Sequence, residues 1–447
     1  MANYTKSVNG ARESIVQDVA RRSREASRVL ARLSNERRNE ILLAVAQSIV
    51  TRRDEILEAN ERDCRAAEHQ LGVGGISRSR FASLRLNDRA IDEMIARIQD
   101  VARLTDPLGR RLSVVELDRG FVLHKVSCPL GVVGVVFESR PDVIPKVAAL
   151  ALKSGNALIL KGGAEAESTN QVMASVLREC LRWFPEVPSN VFALLSSRLD
   201  LWQLLTLDRE VDLIIPHGSK ELVEYVVAQS RIPVLGYGDG ICHVYVDSAA
   251  DVNKALEIML DSKIRFPAAH NAAETLLVHQ AMVSGFLPEA VIRLRDAGVE
   301  LRGCRKMVAL FTSPIVGSAA EEDWGKEHSD HVLLIKIVAD PQEAIAHIHR
   351  YGSRHTEVVV TEDLNVAKHF MDEIDAAGVF HNTSTRFGDG FWYGFGTELG
   401  MSTSKLHSRG SLGLEGLTTY KYKLYGNGET VAEYASGKKQ FKHRKIE

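Results

Sequence analysis

The sequence predicts an α/β protein made of two doubly wound halves, with a helical layer and a β-hairpin ahead of them. Three observations lead there. A chain of 447 residues has room for two to three domains and a sizeable core. From Leu130 onward, short apolar runs alternate with stretches of helical period, the pattern of βαβ units around parallel sheets. Ahead of that series, LSVVEL and FVLHKV flank Asp118-Arg119-Gly120, two β-prone runs around a turn.

The elements follow in order. Ile15, Val19, Ala26, Leu30 and Leu33 recur near the helical period and predict a helix over 11–33. Ser34 is placed to cap a second helix, with Ile41, Leu42, Val45 and Ile49 on one face. Helices over 54–68 and 88–103 complete a layer that packs on a later sheet. The run 112–127 is the hairpin, which from its residues alone reads as an ordinary surface feature. The first α/β series places strands at 131–138, 157–160, 190–194 and 211–215, with helices over 143–154, 167–183, 199–207 and 218–230. A strand over 244–247 ends this half, and the second series places strands at 274–279, 331–338, 356–361 and 377–381, with helices over 251–264, 286–298, 341–351 and 363–376. Domain boundaries follow: 1–111 with 129–238, then 239–400, with 112–128 and about 405–435 as a third element. The basic tail 436–447 is expected to be solvated and mobile.

Composition narrows the function classes. With 56 basic and 58 acidic residues, the charge balance gives no pointer to nucleic acid or to an anionic membrane. The N-terminal stretch has no apolar signal core, and the longest apolar run, near Val132–Phe137, is too short to span a bilayer. A soluble cytoplasmic protein is expected. Cys64, Cys128, Cys180, Cys242 and Cys304 are scattered without a C-x-x-C pair, so they read as reduced thiols. His347, His349 and His355 read as solvent-facing polar residues, and no metal site is expected.

The chemistry centres on 261–279, DSKIRFPAAHNAAETLLVH. A helix breaks at Pro267 into a loop of small residues, which leaves as an apolar strand. Such a loop lets a substrate approach the backbone and puts one reactive side chain, His270, at its tip. Four other strand ends look functional, because ligands of open parallel sheets bind at carboxyl ends of strands. Glu138-Ser139-Arg140-Pro141-Asp142 has a proline that forces an extended turn at a helix start. Lys161-Gly162-Gly163 pairs a strand-end lysine with two glycines that permit close approach of an anion. Pro216-His217-Gly218-Ser219-Lys220 opens a helix, whose free amides favour phosphate. The last is the run from Asn382 to Gly416, rich in Gly, Ser, Thr and Arg.

These stretches together resemble the gamma-glutamyl phosphate reductase family of the aldehyde dehydrogenase superfamily. Pro267, Asn271, Ala272, Glu274, Thr275, Leu276, Leu277 and His279 match the family's nucleophile loop. DGICHVYVD at 239–247, NTSTRFGDG from Asn382, and the block GTELGMSTSKLHSRG with GLEGL match its other motifs. The similarity covers about residues 14 to 430. It implies an aldehyde dehydrogenase-like fold of two Rossmann-like α/β domains. The first would bind cofactor, 239–400 would be catalytic, and the third element would project and join subunits of a homodimer or larger assembly. It implies NADPH-dependent reduction of gamma-glutamyl phosphate to glutamate 5-semialdehyde and phosphate, a step of proline biosynthesis on a small-molecule substrate. By position, Ser139, Pro141, Lys161, Gly162, Gly218 and Ser219 would hold NADP(H). Arg140, Arg386, Glu398 and Arg409 would hold the substrate, because guanidinium binds carboxylate and phosphate through paired donors. His270, Asn271 and Asp142 would fall at the catalytic positions.

The departures from the family pattern matter more than the matches. His270 stands where the family has its catalytic cysteine. His217 replaces an arginine, and Ser411 a proline. Asp142 occupies a position where the family often has asparagine: it is either protonated, so as not to repel an oxyanion, or yields that task to backbone amides, or simply caps the next helix. A thiolate is both nucleophile and good leaving group, whereas an acyl-imidazole hydrolyses readily. Three readings of His270 stand: a reductase disabled at one position, a chain that binds NADP or a glutamyl ligand without turnover, and an enzyme of altered, imidazole-based chemistry such as acyl phosphate hydrolysis. Cys242 and Cys304 lie outside the loop and are not expected to substitute for the missing thiol.

Overall fold

The computed structural model describes residues 2–72, 78–236, 238–311 and 315–446. The chain divides into two compact units. Unit one is Met1–Gly236 with Phe395–Leu399 and Gly413–Glu447, and unit two is Tyr237–Gly394 with Gly400–Leu412.

In unit one the first helix, Ala2–Leu30, starts earlier than its apolar periodicity suggests. Ser34 accepts from the Arg37 amide and caps Asn35–Thr51. Arg53–Gly72 and Asp88–Arg103 follow, and the short helix Arg78–Leu84 has no counterpart in the sequence reading. Four parallel strands lie in the order Phe192–Leu195, Ala157–Lys161, Val132–Phe137, Leu213–His217. Val132–Phe137 is buried along its whole length. The chain steps outward from it through the 157 and 192 strands, then returns to its other side. That reversal makes a switch point, and the loops following Phe137 and His217 open beside it. Val16 and Ala20 of the first helix pack on Val132, Ile159 and Ile214 of this sheet.

The hairpin forms from Arg111–Asp118 and Phe121–Pro129. Its edges do not stay bare. Thr418–Tyr425 pairs antiparallel with the second strand, and Arg444–Lys445 with the first. The tail expected to be mobile therefore returns as an edge strand. The cause is local: an open strand edge offers unpaired backbone groups. Arg444 reaches Glu116 at 2.8 Å, and Tyr434 stacks on Phe441 at 4.2 Å between ring centres.

Unit two holds a seven-stranded, wholly parallel sheet. Its order is Gly317–Ser318, Glu300–Gly303, Val332–Val338, Ala273–His279, Cys242–Val246, Thr356–Val360, Gly378–His381. The first two are absent from the sequence reading, because E-L-R-G and G-S carry no β-prone apolar run. The inner strands are apolar on both faces. Val244, Leu276 and Ile335 face one helical layer, and Tyr245, Leu277 and Val359 the other.

Candidate active site

In unit two the helix Val252–Ile264 stops short of Pro267. Two successive turns, Ala269 N–H to Phe266 O at 3.0 Å and Ala272 N–H to Ala269 O at 2.9 Å, carry the chain into Ala273–His279. The loop between is fixed from behind by Gly240, because a Cβ there would run into the carbonyl of His270.

His270 is half-buried at the tip. Its Nδ1 lies 2.8 Å from Nε2 of His355, with the rings 4.9 Å apart and tilted. Nδ1 of His355 is 2.9 Å from Thr356 Oγ1 and 3.6 Å from the Cys242 sulfur. The Cys242 thiol donates to the His270 carbonyl at 3.6 Å. Cys242, Ala273 and Thr356 begin three adjacent strands, so this cluster lies at the amino ends of the sheet. The rule of carboxyl-end sites thus describes unit one and not unit two, where the loop with the reactive side chain precedes its strand.

His347 and His355 are buried, and only His349 of the three is solvent-facing as the sequence suggested. Burial, reinforced by His270, holds His355 well below its ordinary pKa and therefore neutral. Burial likewise pushes the Cys242 thiol well up, which leaves it a poor thiolate donor.

Asn271 organises the neighbouring turn. Its amide donates to the carbonyls of Arg386 at 3.3 Å and Gly388 at 3.1 Å. Arg386 is held so that its Nε and Nη1 are buried without a hydrogen-bond partner. Burial lowers its pKa, against Asp389 and Asp261. A buried guanidinium edge without partners is the kind of group an anion completes. Beneath the loop, Lys263 and Glu274 form a fully buried pair at 3.5 Å. Burial raises the Glu274 carboxyl to about 7, partly countered by Lys263. Arg409 pairs with Asp375 at 2.8 Å beside Lys405 at 2.7 Å. Lys405 first, then Arg409, holds the Asp375 carboxyl down at about 2.

In unit one the expected residues cluster at the switch point. Ser139 sits at a φ of 47°, in the left-handed region that favours glycine and that a serine adopts only rarely. Its amide and hydroxyl both donate to Glu165 at 2.6 Å. Pro141 follows, and Asp142 occupies the N-cap position of Val143–Lys153 without capping it through its side chain. The carboxylate instead forks onto Arg140 at 2.9 and 3.3 Å. Burial raises Asp142, but Arg140, Lys146 and His217 outweigh it, so the group is ionised rather than protonated. Neither the protonated form nor the capping role that the sequence allowed is found. Lys146, beside Arg97 and Arg140, is pushed down to about 8, chiefly by burial, with Glu398 and Asp142 opposing.

Lys161 is buried, its ammonium turned onto the Gly162 carbonyl. A Cβ on Gly162 would run into the Asn170 side chain, and one on Gly218 would press on Glu138 and Leu222. Ser219 caps Lys220–Gln229, and its amide donates to Glu138 at 3.0 Å. The amides of this helix start are therefore not all free, because a carboxylate from the end of the neighbouring strand Val132–Phe137 already takes one. Of the expected substrate residues, Arg140 and Glu398 lie in unit one, Arg386 and Arg409 in unit two. His355 is the neighbour the sequence reading missed. It is 85 positions from His270, and only parallel strand pairing brings the two together.

The model of the aldehyde dehydrogenase family matches residues 2–301. A gamma-glutamyl phosphate reductase of Synechococcus sp. is 49% identical, covering 94% of this chain and 92% of that protein. A solved gamma-glutamyl phosphate reductase of Thermotoga maritima is 39% identical with a TM-score of 0.89, over 93% of this chain and 99% of that one. One from Saccharomyces cerevisiae is 34% identical with a TM-score of 0.53, over 94% and 99%. Among the described residues no helix is long and apolar enough to cross a membrane.

Proposed function

The chain belongs to the aldehyde dehydrogenase family and, within it, to the gamma-glutamyl phosphate reductases, and on that premise we propose that its ligands are NADP(H) and gamma-glutamyl phosphate. The reaction class is reduction of the acyl phosphate to glutamate 5-semialdehyde and phosphate. Reductive turnover is held far down by His270. The observation that carries this reading is the pairing of a complete loop with a changed tip: Asn271 still holds the Arg386 turn, and Arg386 still has buried donors without partners.

The residues of unit one fit a nicotinamide dinucleotide. Gly162 and Gly218 keep backbone close to a ligand where a side chain would intrude. Lys161 supplies a cation whose charged form burial disfavours, so an added anion would restore it. Ser139, Pro141 and Ser219 line the switch point. When bound, the cofactor supplies a hydride to the acyl carbon. Arg386 and Arg409 hold the anionic ends of the substrate, and Asn271 fixes the turn that aims Arg386. Imidazole at position 270 lacks the leaving-group balance of a thiolate, which is why reduction stalls. A second reading, binding without turnover, rests on the same unpartnered donors. The exposed Tyr420, Tyr422, Leu424 and Tyr425 on the hairpin's outer strand support a homodimer or larger assembly, in the cytoplasm.

The test runs the reaction backward. Glutamate 5-semialdehyde, phosphate and NADP are mixed with this chain or with His270→Cys, and NADPH absorbance is followed. NADPH from the cysteine variant alone supports the reading. NADP bound by both but reduced by neither leaves a binding protein. NADPH from the unaltered chain would overturn the account of His270.

A further inference from the structure

We propose that the His270–His355 pair makes this loop a water-activating site that hydrolyses acyl phosphates. The inference rests on the acyl phosphate reading above and deepens it. His355 is 1% exposed and cannot touch a substrate, whereas His270 is half-buried and can. The contacts form one line: Thr356 Oγ1 to His355 Nδ1 at 2.9 Å, then His355 Nε2 to His270 Nδ1 at 2.8 Å. With the His355 proton on Nδ1, toward Thr356, its Nε2 accepts from His270 Nδ1–H. The lone pair of His270 then lies on Nε2. His355 is thus a positioning residue that fixes tautomer and ring angle, and His270 is the general base.

The step balances without oxidant or reductant. Water oxygen bonds to the acyl carbon while His270 takes the water proton. The acyl carbon–oxygen bond to phosphate breaks, and the bonding pair leaves with phosphate. The proton returns to phosphate or solvent, and the products are the free carboxylate and inorganic phosphate. Arg386, aimed by Asn271 next to the base, is the partner for the departing phosphate. Among the titratable and charged groups of unit two around the pair are Cys242 on one strand, Asp389, which has a carboxylate oxygen within 4.8 Å of a His270 ring nitrogen, and Arg386 on the same turn.

Gamma-glutamyl phosphate is generated continuously from glutamate and ATP by a glutamate-phosphorylating kinase. Phosphate release is read without NADPH, in water labelled with oxygen-18. This chain is expected to release phosphate well above the protein-free rate and to label the glutamate side-chain carboxylate. His270→Ala should lose about a hundredfold or more. His355→Gln should lower kcat with KM unchanged and shift the acidic limb of the pH profile, which a purely structural role would not do. A protein-free rate for the unaltered chain, or full activity in His270→Ala, overturns the proposal. Should His355→Gln not fold, the His270→Ala result decides alone. The parent reading is scored separately: if His270→Cys forms NADPH in the reverse assay while the unaltered chain releases no phosphate, only the hydrolysis fails. If His270→Cys forms none, the acyl phosphate reading itself fails.

Discussion

The two candidate regions are built on the same kind of sheet and differ in how their polar groups are satisfied. In unit one the loops lie at carboxyl ends of strands, and two carboxylates occupy the donors there. Glu138 takes the Ser219 amide, and Glu165 takes the amide and hydroxyl of Ser139. In unit two the loop lies at amino ends, and Arg386 keeps two buried donors without partners. An acid-rich region that satisfies itself can admit a cofactor by exchanging partners. A buried cation without partners lacks a specific anion. Under the proposed function, the first region would take a large dinucleotide held by shape and the second a small anion held by charge.

The largest expected effect tests the tip of the second region. His270→Cys should raise reverse-direction NADPH formation by several orders of magnitude, because losing a nucleophile can cost about a million-fold. Next is the frame beneath it. Glu274→Gln swaps the buried carboxyl beside Lys263 for an uncharged amide, and chemical denaturation should show a changed dependence of stability on pH. The sign with pH is fixed by Glu274, whose carboxyl rises from 4.5 to about 7 on folding. The folded form holds that proton more tightly, so this group's stabilisation is fully present below about 4.5 and is lost as pH rises to about 7. The glutamine variant should lack that slope.

How much of this was legible in the sequence follows from range. Ser34 capping the second helix and the break before Pro267 are local, and both are found where the residues put them. The short strands Glu300–Gly303 and Gly317–Ser318 were not legible, because sheet pairing rather than apolar content makes them strands. His355 was read as solvent-facing for the same reason. Nothing in its neighbours says that a strand edge will bury it against His270. The ionised state of Asp142 depends on Arg140, which is local, and on Lys146 and His217, and only the three-dimensional sum of those charges decides it.

Smaller effects sharpen the comparison. In the His270→Cys background, Gly240→Ala should reduce turnover about tenfold to a hundredfold while NADPH affinity holds, because the added methyl displaces the loop carbonyl. Asp142→Asn should be the mildest. It releases Arg140 from a half-exposed pair worth about 1 kcal/mol, so NADPH affinity in fluorescence titration should move by about fivefold or less.

The contrast between the two regions is tested most directly by calorimetric titration of inorganic phosphate into this chain and into Arg386→Gln. Charged hydrogen bonds to an anion are worth about 1.5–3 kcal/mol, so phosphate should bind the variant about ten- to a hundredfold more weakly, with NADPH affinity unchanged. Equal phosphate affinity in the two proteins would contradict the assignment of Arg386 as the anion seat of unit two.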